Sequence, residues 1–195
     1  MSKQKHGRLE FNQIETQTQN NKIKSIIESI LFAAIESISL KELFNILKND
    51  FSLTKLELSS LLDELKEEYL SNSRGFELIY IAEGFQLKTK KKYAKWVEKT
   101  LKKKISYERL SKSALETLSI IAYKQPVTRA EIEEIRGVNV DGIMRVLLDK
   151  GLIFASGKKD SPGKPGLYST TKLFLTTFGL KNLQELPPLG ELNLN

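Results

Sequence analysis

The feature that most constrains this chain is a local pattern that occurs twice, at an offset of 89 residues. Ser39 is followed three positions later by Glu42, and Thr128 by Glu131. A hydroxyl residue with a glutamate at that spacing is a capping box: each side chain satisfies a backbone N–H that the first turn of a helix leaves without a partner. An apolar helical stripe precedes the first box, with Ile23, Ile26, Ile27, Ile30, Leu31 and Ala34 at i, i+3, i+4, i+7, i+8 and i+11. Before the second, Ser111 caps a helix reaching to about Tyr123. The offset pairs Ile26 with Leu115, Leu31 with Ile120, Phe32 with Ile121, Ala33 with Ala122, Ile38 with Val127 and Leu43 with Ile132. Shared caps, shared carboxylates and a shared order of later elements imply two copies of one architecture.

After the first box, Leu40, Leu43, Phe44 and Leu47 mark a second helix. A further box, Thr54 with Glu57, opens a third along Leu58, Leu61, Leu62, Leu65 and Tyr69. The period then falls to two, Phe76, Leu78 and Tyr80 alternating with Glu77, Ile79 and Ile81. Phe85, Leu87 and Thr89 follow a turn around Gly84, which makes a hairpin. In the second copy Val140, Ile143, Met144, Leu147 and Leu148 stripe the third helix, which Lys150 and Gly151 end. Strands are expected at 153–156 and 167–170 with a long loop between, then short helices at 172–178 and 180–185 before Pro187-Pro188. Three helices and a covering hairpin is the order of a winged helix. The predicted class is mostly α with small β wings: two tandem winged-helix domains joined by a basic helical linker. The boundaries are a flexible tail at 1–21, a first domain at 22–90, a Lys-rich linker at 91–110, a second domain at 111–186 and a flexible tail at 187–195.

Much catalytic chemistry has no residues to perform it. Cysteine is absent and His6 is the one histidine, which argues against thiolate nucleophiles, Cys-ligated metals, His triads and multi-His sites. The stretch Gly157-Lys-Lys-Asp-Ser-Pro-Gly163-Lys164-Pro165 superficially looks like a phosphate loop. It has five residues between its glycines instead of four, and Pro165 where a hydroxyl would hold magnesium. Glu67-Glu68 and Glu133-Glu134 are helix neighbours that diverge and cannot share a substrate. The expectation is no enzyme, no cofactor, no metal and no small-molecule substrate. The longest apolar run, residues 30–35, is far short of the roughly 20 residues of a membrane span. The first fifteen residues have no apolar signal core, so a cytoplasmic location is expected.

The net charge of +7 suggests nucleic acid until its distribution is followed. Residues 88–104 hold nine lysines against Glu98, so the rest of the chain sums to −1. The third helix of the first copy carries Glu57, Asp63, Glu64, Glu67 and Glu68 against Lys55 and Lys66. That of the second balances Arg145 and Lys150 against Asp141 and Asp149. Phosphates would repel the first and gain little from the second, so sequence-reading by these helices is not expected, and DNA binding is at most weak and nonspecific. The lysine run reads as a solvated connecting helix, or else as an anionic-partner patch of Lys90, Lys91, Lys92, Lys102, Lys103 and Lys104.

Winged helices without that role use their exposed apolar residues on proteins. In the first domain, residues 26–34 (IIESILFAA) and 74–78 (RGFEL) carry a family resemblance. In the second, residues 114–123 (ALETLSIIAY), 125–133 (QPVTRAEIE) and 135–138 (IRGV) do, followed by Tyr168, Thr170-Thr171, Phe174-Leu175 and 178–180 (FGL). From about Ile26 to Leu189 the chain resembles the segregation and condensation protein B family. That family accompanies the kleisin of the bacterial structural-maintenance-of-chromosomes (SMC) complex, which is condensin-like. It departs from the family pattern at Ile35, Lys164 and Ser169, and Lys164 lacks the planar fork of the expected arginine.

The resemblance implies a non-enzymatic homodimer formed through the first domain, its interface somewhere within 22–90. That dimer would clasp the middle of one kleisin (segregation and condensation protein A) and through it serve the SMC ATPase heads. Such a complex compacts and partitions chromosomes during cell division, which would make the protein nucleoid-associated. Arg136, Gly137, Val138, Asn139, Lys164 and Tyr168 are the candidate kleisin-binding residues, although Gly137-Val138 is equally the tight turn between two helices. The alternative is a winged-helix DNA-binding transcriptional regulator.

Overall fold

The computed structural model describes residues 2–71, 73–101 and 110–188, with side chains from residue 16 onward apart from Leu101. The chain divides into two compact units, 1–98 and 99–195. The first contains helices α1 (Ser2–Ala33), α2 (Leu40–Leu47) and α3 (Lys55–Leu70), strands β1 (Phe76–Ile81) and β2 (Gly84–Thr89), a 3-10 turn at Lys91–Tyr93 and the start of α4 (Ala94–Leu101). Its core is made by Ile23, Ile27 and Leu31 of α1, Leu43 and Leu47 of α2, the Leu58, Leu61, Leu62 and Leu65 stripe of α3, and Leu78 of the hairpin. The capping boxes at Ser39 and Thr54 form in both directions, each hydroxyl accepting from the N3 amide and each glutamate from the cap residue's amide.

Three expectations for this unit need correction. The flexible tail expected at 1–21 is helical instead, since α1 begins at Ser2. No proline interrupts this stretch, so the segment that packs through Ile23 to Leu31 supplies a helical nucleus, and turns added to it need no further nucleation. At 16–19 these turns are exposed, so the added helix is one of conformation more than of packing. The turn expected around Gly84 is made by Ala82 (φ 49°) and Glu83 (φ 60°), both left-handed, and Gly84 opens β2. Two such residues in a two-residue loop match the twist of the strands. Gly84 is required for a different reason, because the backbone of Ile38 lies where its Cβ would stand, 2.7 Å from the Ile38 carbonyl carbon. That approach lets Ile38 and Phe85 exchange two backbone hydrogen bonds, of 3.0 and 2.8 Å.

The third correction concerns the repeat. Phe32 is 76% exposed while its supposed counterpart Ile121 is fully buried, and Leu115 is exposed where Ile26 is half-buried. Burial matches Ile23 to Ala114, Ile27 to Leu118 and Leu31 to Ala122 instead, an offset of 91. The link from first helix to cap is two residues shorter in the second copy, from Lys124 to Thr128 against Ala33 to Ser39. From that cap onward 89 holds: Leu43 and Ile132 are both fully buried.

The second unit contains α5 (Lys112–Lys124), β3 (Val127–Thr128), α6 (Arg129–Arg136), α7 (Asp141–Asp149), β4 (Ile153–Lys158), β5 (Gly166–Thr170) and α8 (Lys172–Phe178). Ser111 caps α5 by accepting from the Ala114 amide at 3.2 Å. The short strand β3 has no counterpart among the sequence expectations; it makes a three-stranded sheet in the order β3-β5-β4, with Val127 opposite Tyr168 and a bulge between Ala155 and Gly157. It repeats what Ile38 does with Phe85 in the first unit. At 180–185 only a 3-10 turn forms, Leu183–Glu185. The tail expected from 187 is held at its start, where the Tyr123 hydroxyl donates to the Pro187 carbonyl; residues 189–195 lie outside the described residues. No helix among the described residues is long and apolar enough to cross a membrane.

Candidate functional site

The six candidate residues of the second unit fall into two groups. Tyr168 sits half-buried in β5 between Val127 and Ala155, beside the residue that caps α6. Lys164 is in the wing loop, left-handed at φ 41° with its amide donating to the Ser161 carbonyl. The wing is tied to the start of α6 by Lys159, whose ammonium lies 2.6 Å from a Glu131 carboxylate oxygen. At the other end of α6, Gly137 takes the left-handed cap at φ 68°, which any side chain would strain. Eight residues of helix rising about 1.5 Å each separate these ends by about 12 Å. The structure thus sets the two groups at opposite ends of one helix.

Within the second group the side chains differ in direction. Arg136 turns inward, only 13% exposed: it donates to the Ser113 carbonyl, the Ser113 hydroxyl and the Thr117 hydroxyl, and pairs with Glu116 at 2.8 Å. Val138 is 53% exposed and turns outward. Asn139 accepts from the Asp141 amide and donates to its carboxylate, closing a turn just ahead of α7, whose cap position is Val140, while Asp141 also pairs with Arg129. Asn139 further lines an open groove of about 400 Å³ between α5 and α7, with Ser111, Ala114, Gly142, Ile143 and Val146. Sequence reasoning missed Ile143 and Val146 as surface residues because the helical stripe assigned Ile143 to the core and gave no signal for Val146.

Glu131 is the most perturbed acid here. The Lys159 hydrogen bond, then those from the Thr128 amide and hydroxyl, hold its carboxyl down to about 2 from an ordinary 4.5. Because the folded value is depressed, its contribution is complete above about 4.5 and is lost as pH falls toward 2. Thermal unfolding followed between pH 5 and 2 should show this decline, and Lys159→Ala should shrink it; an identical profile in the variant would refute the assignment.

The third helices present little to phosphate. On α3, Glu64 and Glu68 hold the buried ammonium of Lys24 at 3.3 and 2.6 Å, with its pKa raised chiefly by the Glu68 bond. Burial, with the 2.7 Å bond to Glu28, pushes the Tyr69 hydroxyl up to about 12. The helix keeps its acidic surplus. For the dimer interface, left open within 22–90, the first unit exposes Phe32, Ile35 and Leu56 at 76%, 94% and 81%. Of the lysine patch, Lys91 and Lys92 are exposed, Lys90 is engaged with the Ser71 carbonyl at 2.6 Å, and Lys102, Lys103 and Lys104 lie outside the described residues.

The sequence profile of the segregation and condensation complex subunit ScpB matches residues 25–189. The chain belongs to that family. A segregation and condensation protein B of Clostridium botulinum is 46% identical over 194 residues, 98% of this chain and 95% of the relative. One from Clostridium tetani is 47% identical over 168 residues, 86% of each. The crystal structure of ScpB from Mycobacterium tuberculosis, 32% identical, aligns with 83% of this chain and 97% of its own at a TM-score of 0.40. Membership rests on the sequence match, and the winged-helix fold on the elements described above. As a ScpB-family chain it is an accessory subunit of a condensin-like segregation and condensation complex.

Proposed function

We propose that this subunit works without catalysis, as a homodimer through its first unit, and grips the middle of one kleisin chain, steadying the kleisin's bridge between the SMC ATPase heads. It acts in the cytoplasm on the nucleoid, in chromosome condensation and partition. The observation that carries this reading is a pair of winged helices whose third helices lack positive surplus while apolar side chains, Leu56 of α3 among them, face solvent. A nucleic-acid reader needs the opposite arrangement. Phe32, Ile35 and Leu56 supply apolar area for self-association. Val138, Asn139 and the wing residues Lys164 and Tyr168 offer kleisin contacts at the two ends of α6; Arg136 serves from within by holding that helix in place.

The test mixes the purified chain with a purified kleisin from the same cell and measures mass by light scattering after gel filtration. The expected species is two copies of this chain with one kleisin. A chain that ignores kleisin at micromolar concentration sinks the reading. Val138→Asp, with its side chain already exposed, should leave thermal stability unchanged and weaken kleisin binding by about tenfold or more, as loss of an interface anchor does. Unchanged affinity would remove the α6–α7 turn from the contact.

A further inference from the structure

Charge in the first half of the chain is sharply divided. Residues 22–87 carry seven Lys or Arg against eleven Asp or Glu, whereas 88–101 carry six lysines against Glu98 alone. Two of those lysines have partners or neighbours within the fold: Lys90 donates to Ser71, and Lys88 sits opposite Glu77 in the hairpin. Lys91, Lys92, Lys95 and Lys99 remain exposed. Lys91, Lys95 and Lys99 recur every four residues, and Lys92, Trp96 and Lys99 share a face at i, i+4 and i+7. Lys91 and Lys92 stand in the 3-10 turn and Lys95 and Lys99 on α4, so four exposed lysines fall within nine consecutive residues. Trp96 stands among these lysines 62% exposed, with Tyr93 edge-on at 6.4 Å and the Lys92 ammonium 5.0 Å from the Tyr93 ring centre.

We propose that this face of α4 docks nonspecifically on the backbone of duplex DNA. A dense basic strip without acidic partners among the described residues suits a linear polyanion, and duplex DNA carries about one charge per 1.7 Å of its axis. A folded acidic protein scatters its carboxylates and would meet only one or two of the four. Lysine makes phosphate contacts without the planar fork that reads guanine, and the strip contains no Arg, Asn or Gln to select a base. The exposed indole offers apolar surface to the sugars between phosphates.

Trp96 is the chain's only tryptophan, so its fluorescence reports on this face without labelling. The full chain, without kleisin, is titrated with a random-sequence 20-base-pair duplex and followed by fluorescence and by anisotropy of the DNA. Four phosphate contacts predict a slope of log K against log salt near −3.6, an affinity loss of about a hundredfold between 50 and 200 mM. Replacing Lys91, Lys92, Lys95 and Lys99 together by Gln should abolish binding with the far-UV circular dichroism and kleisin affinity unchanged. Trp96→Phe should keep the anisotropy change and lose the fluorescence change. The proposal is overturned if duplex does not bind at 50 mM salt, if it binds without altering Trp96, if the glutamine variant binds as well, or if a polyglutamate of equal charge competes on equal terms.

Discussion

Gly84→Ala should destabilise the first unit by about 3 kcal/mol, although it adds a single methyl group to a residue with an ordinary φ. The added carbon would stand 2.7, 2.8 and 3.0 Å from the carbonyl carbon, oxygen and nitrogen of Ile38. Those are backbone atoms, which cannot rotate aside as the tip of a side chain would. Overpacking of this kind costs about 1–3 kcal/mol. Moving Ile38 away also loosens its two hydrogen bonds with Phe85, each contributing about 1 kcal/mol. For a unit of this size the melting temperature should fall by roughly 12–24 °C. Gly75→Ala is the control, since nothing lies within 4 Å of its Cβ position. Thermal scans with both variants decide the matter: Gly84→Ala melting within a few degrees of the parent would mean the wing and the α1–α2 connection are not clamped as described.

Arg136→Ala should lower stability of the second unit by about 2 kcal/mol, from lost hydrogen bonds of an ionised donor and lost packing of its stem. The guanidinium spans two groups of Ser113 and one of Thr117 on α5 from the last turn of α6, with Glu116 completing its surroundings. Lysine keeps the charge but not the fork, so Arg136→Lys should recover only part of the loss. Urea unfolding by circular dichroism measures this, with kleisin affinity read in parallel. A residue that touches kleisin directly would change affinity while leaving the unfolding midpoint in place; that outcome would return Arg136 to the contact surface. Here the midpoint is expected to move, and affinity to follow only as far as the helix shifts.

The contrast between these residues and the exposed Val138 shows why the candidate surface was only partly legible. Motif spacing puts Arg136, Gly137, Val138 and Asn139 together because they are consecutive. Whether each side chain turns inward or outward depends on which helix lies across from it. Asn139 and the Gly137 turn stay together in the structure, because a left-handed cap and a short-range amide bond are local properties. Lys164 and Tyr168 join them only through the family resemblance, and α6 sets its whole length between Tyr168 and Gly137.

By itself the sequence determined what acts within one or two helical turns. The boxes at Ser39, Thr54 and Thr128, the Ser111 cap and the α8 limits all follow from hydrogen bonds that close over three or four residues. Side-chain periodicity likewise marked the main helices and the hairpin strands, but not β3, the first turns of α1 or the 3-10 form at 183–185. Tertiary structure alone decided the rest: the two-residue shift between the first helices, the β3 strand, the reason for Gly84 and the inward turn of Arg136. Each of these is a contact between segments distant in the chain, where the available space is set by the partner's backbone. No local pattern contains that information.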